Sequence, residues 1–246
     1  MRSYVVFLLL LAVKVAARLF YRVDMPWIGD PPRDRWRHIR LVVVLNHTSL
    51  FEPLFLGGVP LSFVWRIARH GVVPIASKTA SRPLVGMFYK LIAARVISIT
   101  RERDESWDVV LNHVDPDAMM ALLPEGRMKR RNGLDAAGQP MTVRGGVADI
   151  MLAIERGRML LAYSGGLHHV QIPGKIPNLF ERVQMRIENL EIADYIAEQM
   201  AKGGAAEFKR NVIRDLEARR DIYCVDDSPR TESKSSADMG SLKRNP

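Results

Sequence analysis

The chain has 246 residues, 48% of them apolar and 26% charged, which suits one globular domain with a sizeable Val, Ile and Leu core and excludes wholesale disorder. Cys224 is its single cysteine, so neither a disulfide framework nor a cysteine-built zinc site is open to it, and a reducing compartment fits. Lys and Arg outnumber Asp and Glu by 36 to 27, a formal net charge of +9 that favours anionic partners: nucleic acid, acidic lipid or phosphorylated metabolites.

Residues 4–13 form an almost unbroken apolar run that Lys14 interrupts, short of the ~20 residues a spanning helix needs. Lys14, Arg18 and Arg22 recur every four residues and share one helical face, while Val15, Leu19 and Phe20 continue the apolar side begun by residues 7–11. This is the pattern of an interfacial helix, its apolar face in the acyl boundary and its cations among anionic headgroups. A signal peptide, suggested by Arg2, the short apolar core and Ala16-Ala17, and a buried amphipathic core helix are the competing readings. Residues 1–40 are assigned to this membrane-association segment and a linker, in which Arg33, Arg35, Arg37 and Arg40 either extend the basic surface or face water.

From residue 41 short apolar runs alternate with amphipathic stretches, which predicts an α/β domain over 41–225. Strands are expected at 41–45, 62–68, 96–100, 119–123, 159–163 and 183–187. Helices are expected at 50–56, 82–94, 105–114, 144–155, 191–200 and 205–219. Residues 226–246 are rich in Asp, Ser, Pro and Lys and read as a disordered tail.

In open α/β sheets chemistry collects where strands end. The strand 41–45 runs straight into Asn46-His47-Thr48-Ser49, and Ser49 with Glu52 has the S-x-x-E spacing of a capping box. That spacing turns Glu52 back toward His47, as a carboxylate orienting a general base must be, or else it merely caps a helix beside a loop histidine. The strand 119–123 ends at Pro124-Glu125-Gly126-Arg127, followed by Lys129, Arg130 and Arg131. A glycine that permits close approach, with forked cationic donors beside it, suits an anionic headgroup; a solvated basic loop is the plainer reading. No phosphate loop of the G-x-x-x-x-G-K-[ST] kind and no G-x-G-x-x-G is present. His168 and His169 are adjacent, so on a strand they point to opposite faces, and no metal site is expected from them.

Taken jointly, Asn46-His47 with Glu52 and Leu123-Pro124-Glu125-Gly126-Arg127 resemble the first and third motifs, N-H-x-x-x-x-D and F-P-E-G-T-R, of the phospholipid and glycerol acyltransferase family. Lys78, the Pro83 to Gly86 turn and the 96–101 segment ending in Arg101 are similar to its second motif, Val143-Arg144-Gly145-Gly146 to its basic-Gly step, and 159–163 to its fourth. Three departures stand out. Glu52 replaces the family's aspartate, the threonine after Gly126 is missing so that Arg127 moves forward by one, and the fourth motif lacks its proline.

The resemblance implies a single acyltransferase-type α/β domain, a central mixed sheet flanked by helices, behind the N-terminal membrane-interfacial helix. It implies O-acyl transfer from an acyl thioester to the hydroxyl of a lysophospholipid, lysophosphatidate-like, with His47 as general base and Glu52 as its acid partner. Asn46, Arg101, Glu125, Gly126 and Arg127 are then expected to bind substrate. Acyl-CoA or acyl carrier protein would be the donor, with no metal and no cofactor. The partner is a membrane surface with anionic lipid, at whose cytoplasmic face the protein would lie, peripheral or monotopic. A lyso-ornithine lipid acceptor is the alternative within the family, and a noncatalytic lipid-headgroup binding protein is the alternative outside catalysis. Nucleic acid is not expected as a partner, because no basic strand carries interleaved aromatic residues.

Overall fold

The computed structural model describes residues 1–81, 91, 93–100, 105–172 and 175–224. The expected helix at 82–94, the turn from Pro83, Arg101 and the tail therefore lie outside the described residues for all or most of their length.

Helix α1 (Arg2–Phe20) leads into a short strand β1 (Arg22–Asp24) and then β2 (Ile39–Leu45). A 3-10 helix (Glu52–Gly57) follows, then α2 (Leu61–His70), β3 (Gly71–Ala76), the single turn α3 (Ser77–Ala80) and β4 (Arg95–Ile99). The second half contains α4 (Glu105–Asn112), β5 (Met119–Leu122), α5 (Gly146–Ile154), β6 (Arg158–Ser164), β7 (Arg182–Glu191), α6 (Ile192–Ala201) and α7 (Gly204–Tyr223). The seven strands form one sheet in the order β1-β7-β6-β2-β5-β3-β4. β6, β2, β5, β3 and β4 run parallel, and β7 is antiparallel to β6, so the sheet is mixed as expected.

Strand alternation distributes the core between two faces. In β2, Leu41, Val43 and Leu45 join Met159, Leu161 and Tyr163 of β6 under α5, α6 and α7, where Ile150, Ile192, Phe208 and Val212 meet them. Leu160 and Ala162 turn the other way, toward Val6, Leu10 and Ala17 of α1 and Phe63 and Val64 of α2. Burial on both faces is what a central parallel strand requires, and it explains the near-continuous apolar runs of β2 and β6.

Two sequence expectations need correction. The stretch 62–68 is helical, because Phe63, Val64 and Ala68 are buried at i, i+1 and i+5, one face of a 3.6-residue period. The strand β3 falls in a stretch to which the sequence assigns no element, and it contains Pro74, which lacks the N–H a ladder uses. Its pairing with β5 stops at Gly71 and Val72, so Pro74 sits where β3 has β4 for a neighbour, opposite Ile97, and no longer has β5.

The N-terminal helix also differs in its orientation. The face turned to the protein carries Val6, Leu10, Lys14 and Ala17. The exposed stripe is apolar: Tyr4, Val5, Leu8, Val15 and Leu19. Lys14 donates to three main-chain carbonyls, and Arg18 Nε to a fourth contact at Gly57, so two of the three cations expected among headgroups instead hold the body of the domain, while Arg22 lies past the end of the helix in β1. Spacing put them on one face correctly; what that face meets depends on carbonyls some forty residues away. By length and apolar composition alone α1 could cross a membrane.

Candidate active site

The strand order sets the site. β6, β2 and β5 are parallel neighbours, so the segments leaving their C-terminal ends emerge side by side. After Leu45, Asn46 adopts a left-handed backbone (φ 63°), which Asn tolerates better than most residues, and its amide donates to the Ser164 carbonyl at the end of β6 (2.9 Å). This reversal delivers His47 into the loop after β5. There its N–H donates to Glu125 Oε2 (2.9 Å), and its carbonyl accepts from the Lys129 N–H (2.7 Å).

The imidazole and Glu52 are brought together. His47 Nδ1 stands 3.0 Å from Glu52 Oε1, both side chains nearly buried. Oε1 also accepts the N–H groups of Thr48 (3.1 Å) and Ser49 (3.0 Å). One carboxylate thus faces the imidazole and makes half of the expected capping box: it takes the Ser49 N–H, but the Ser49 hydroxyl accepts from the Phe51 N–H (3.1 Å) and donates to Gln171, and Phe51 is the residue that precedes the 3-10 helix. The ion-pair contact at Nδ1 lacks the alignment of a full hydrogen bond, and the other carboxylate oxygen, Oε2, is buried without a hydrogen-bond partner. Burial disfavours the imidazolium, but the charges of Glu52 and Glu125 outweigh it and raise the His47 pKa above its ordinary value.

His47 lines a cavity of about 1090 Å³ whose wall has two chemistries. Pro74, Ile75, Ile99, Trp107, Leu122 and Val147 supply apolar surface. Arg127, Lys129, Arg130, Arg131, Arg144 and Lys209 supply a surface in which cations outnumber acids, Asp135 and Asp149 lying among them. Gly126 has φ +63°, and a Cβ there would lie 3.1 Å from Arg144 Nε, so backbone shape and the approach of Arg144 both call for glycine.

Not every expected residue reaches the cavity. Glu125 is fully buried behind the loop, its Oε1 held by Arg220 Nη1 (3.2 Å) from α7 and its Oε2 by the His47 main chain. Asn46 is likewise a buried organiser of the turn. Gly126 and Arg127 line the cavity, with Arg127 paired to Asp135. The backbone N–H of Gln139, with that of Ala137 and the Arg127 guanidinium, holds the Asp135 carboxyl below the usual carboxylate range. Arg101 lies outside the described residues. His168 lines the cavity, whereas His169 Nε2 approaches the Arg182 carbonyl (2.8 Å). No group of three or more metal-competent side chains occurs among the described residues.

Sequence reasoning missed Trp107, Lys209, Asp135 and Arg220. Lys209 reaches over Gly145, where a Cβ would stand 2.2 Å from its Cε, to both Asp149 oxygens (3.0 and 2.8 Å). Only the paired glycines Gly145-Gly146 signalled such a crossing, and they do not name what crosses.

No protein-family model matches the chain, and no curated protein does. Among solved structures, the crystal structure of the 1-acyl-sn-glycerophosphate (LPA) acyltransferase PlsC from Thermotoga maritima superposes with a TM-score of 0.52 at 18% identity, covering 90% of this chain and 79% of that chain. The chain therefore has the α/β acyltransferase fold that its motifs resemble.

Proposed function

We propose that the protein transfers a fatty acyl chain from an acyl thioester to the hydroxyl of a lysophospholipid, lysophosphatidate-like, at a membrane surface. The observation that carries this reading is the His47–Glu52 pair opening on one cavity with both an apolar and a cationic wall, features suited to an acyl chain and an anionic headgroup. With Nδ1 toward Glu52, Nε2 is the nitrogen free to take the acceptor's proton. The hydroxyl oxygen attacks the thioester carbonyl as that proton moves to Nε2. Collapse of the tetrahedral intermediate breaks the C–S bond, and the imidazolium returns the proton to the leaving thiolate, giving ester and thiol with no acyl-enzyme. Glu52 stabilises the imidazolium in between.

Arg127, and Arg101 by resemblance, would seat the acceptor's anionic head. Glu125 supports His47 from behind and does not touch substrate. The thioester brings its own activated carbonyl, so the proposal uses no metal and no cofactor; acyl-CoA or acyl carrier protein serves as donor. The exposed stripe of α1, with Phe180 against Phe20 at its C-terminal end, is apolar surface suited to the acyl boundary of an anionic membrane, on the cytoplasmic face in this reading. The test is incubation of the full chain with a labelled acyl thioester and a panel of lysolipids, lysophosphatidate and lyso-ornithine lipid included, with products identified by mass. Acylated lysolipid supports the reading; intact lysolipids throughout, with the thioester unconsumed, contradict it.

A further inference from the structure

Lys14 is 6% exposed, and its ammonium meets three main-chain oxygens: Leu56 (3.1 Å), Gly57 (3.0 Å) and Val59 (2.6 Å). All three of its donors are used. Arg18, one turn further along α1, adds Nε to the Gly57 carbonyl (3.0 Å). These oxygens lie at and just beyond the C-terminal end of the 3-10 helix whose first residue is Glu52. The last carbonyls of a helix lack partners within it, and a cation there is favoured.

A buried ammonium is a costly cap, since it gives up its water. Burial, with Arg18 beside it, holds the Lys14 pKa below the usual ammonium range. At Gly57 the 3-10 helix packs closely against both β1 and α1. A Cβ on Gly57 would stand 2.8 Å from Val23 Cγ2 and 3.2 Å from Ala17 Cβ. The helix between these anchors has six residues, about 12 Å, too short to absorb a shift at one end before it reaches the other.

We infer that Lys14 is a positioning residue for the His47–Glu52 pair, fixing the far end of the short helix whose near end carries the carboxylate. Through it, α1 is fastened to the element that must keep Glu52 Oε1 within 3.0 Å of the imidazole while it holds the Thr48 and Ser49 N–H groups. The kinetic part of this inference rests on the proposed acyl transfer; the geometric part does not.

Two readouts on the full chain test it, using Lys14→Met, which keeps the stem and removes the donors. The His47 titration midpoint, followed by NMR of ring-labelled histidine and assigned with His47→Ala, should move to lower pH as Glu52 loses its hold. The kcat should fall roughly 10-fold or more, as displacement of a catalytic group does, with both KM values within about 2-fold. Val212→Ala, in the core under α7, is the control: it lowers thermal stability but should leave midpoint and kcat unchanged. Should the Met variant not fold, Lys14→Gln, which keeps only part of the donor set, carries the same comparison. A wild-type midpoint in the Lys14 variant, or an equal shift in Val212→Ala, overturns the inference. An inactive wild type whose midpoint still falls on Lys14 substitution would overturn the proposed reaction and leave the linkage standing.

Discussion

Two buried ionic clusters flank the central strands, and they are finished differently. Under α7, Arg219 donates Nε to Asp215 (2.7 Å) and Nη1 to both Glu188 oxygens (2.8 Å each). Tyr163 OH and Tyr195 OH complete those carboxylates at 2.6 and 2.8 Å. Burial first, then the acid beside each, pushes both phenols far above their ordinary range, so neither titrates near neutrality. At the other cluster, His47 Nδ1 and Glu52 Oε2 are left without hydrogen-bond partners, and the imidazole borders a cavity. The closed network ties β6 and β7 to the C-terminal helices; the pair beside the cavity turns Nδ1 to Glu52 and, in the proposed reaction, leaves Nε2 for the moving proton.

The comparison breaks first at His47. His47→Ala should lower acyl transfer by ~100-fold or more, the contribution typical of a general base, with the thermal transition retained; transfer at the wild-type rate would remove His47 from the chemistry. Glu52→Gln comes next. Gln is accepted in a capping box, so folding should persist, while loss of the charge that supports the imidazolium should lower kcat roughly 10-fold or more. Glu52→Asp keeps that charge on a shorter reach and should retain more activity than Gln. If Gln equals wild type in rate and stability, the carboxylate only caps the helix.

The closed cluster should respond in the opposite way. Arg219→Met leaves two mostly buried carboxylates without their cation and should cost on the order of 3 kcal/mol of unfolding free energy by denaturant titration, with kcat unchanged. A loss of kcat at full stability would join the two clusters functionally. Arg127→Ala should raise the acceptor KM about 10-fold, the loss of one charge-assisted contact, and leave the donor KM alone. Equal changes in both would mark Arg127 as a support for Asp135 and nothing more. On the outward face of α1, Leu8→Glu should weaken binding to anionic vesicles roughly 10-fold without altering transfer to a detergent-dispersed acceptor; unchanged vesicle binding would move the membrane contact elsewhere.

What the sequence made legible was local or periodic. The β2 strand, its Asn46-His47 turn and the Ser49-to-Glu52 spacing are contiguous, so their geometry follows from strand period and capping rules. The β3 stretch carries no element assigned from sequence, and its Pro74 is a ladder-breaking residue whose tolerance depends on where β5 stops. Lys14 was read outward because its partners, the carbonyls of Leu56, Gly57 and Val59, carry no side-chain signal. The resemblance of Pro124-Glu125-Gly126-Arg127 to a family motif puts Glu125 among the substrate-binding residues, whereas its side chain is fully buried. Its cation is Arg220, 95 residues on, and spacing offers no way to choose that arginine among the chain's basic residues.

The most direct measurement is kcat/KM against pH for wild type and Glu52→Gln. A general base must be unprotonated to act, so the rate should rise with pH through the His47 pKa, which Glu52 and Glu125 hold above the ordinary imidazole value despite burial. Removing the Glu52 charge should move that rising limb to lower pH and lower its plateau. A limb that stays in place while the plateau falls, or a profile with no limb in either protein, would contradict the account of His47 as a base held by Glu52.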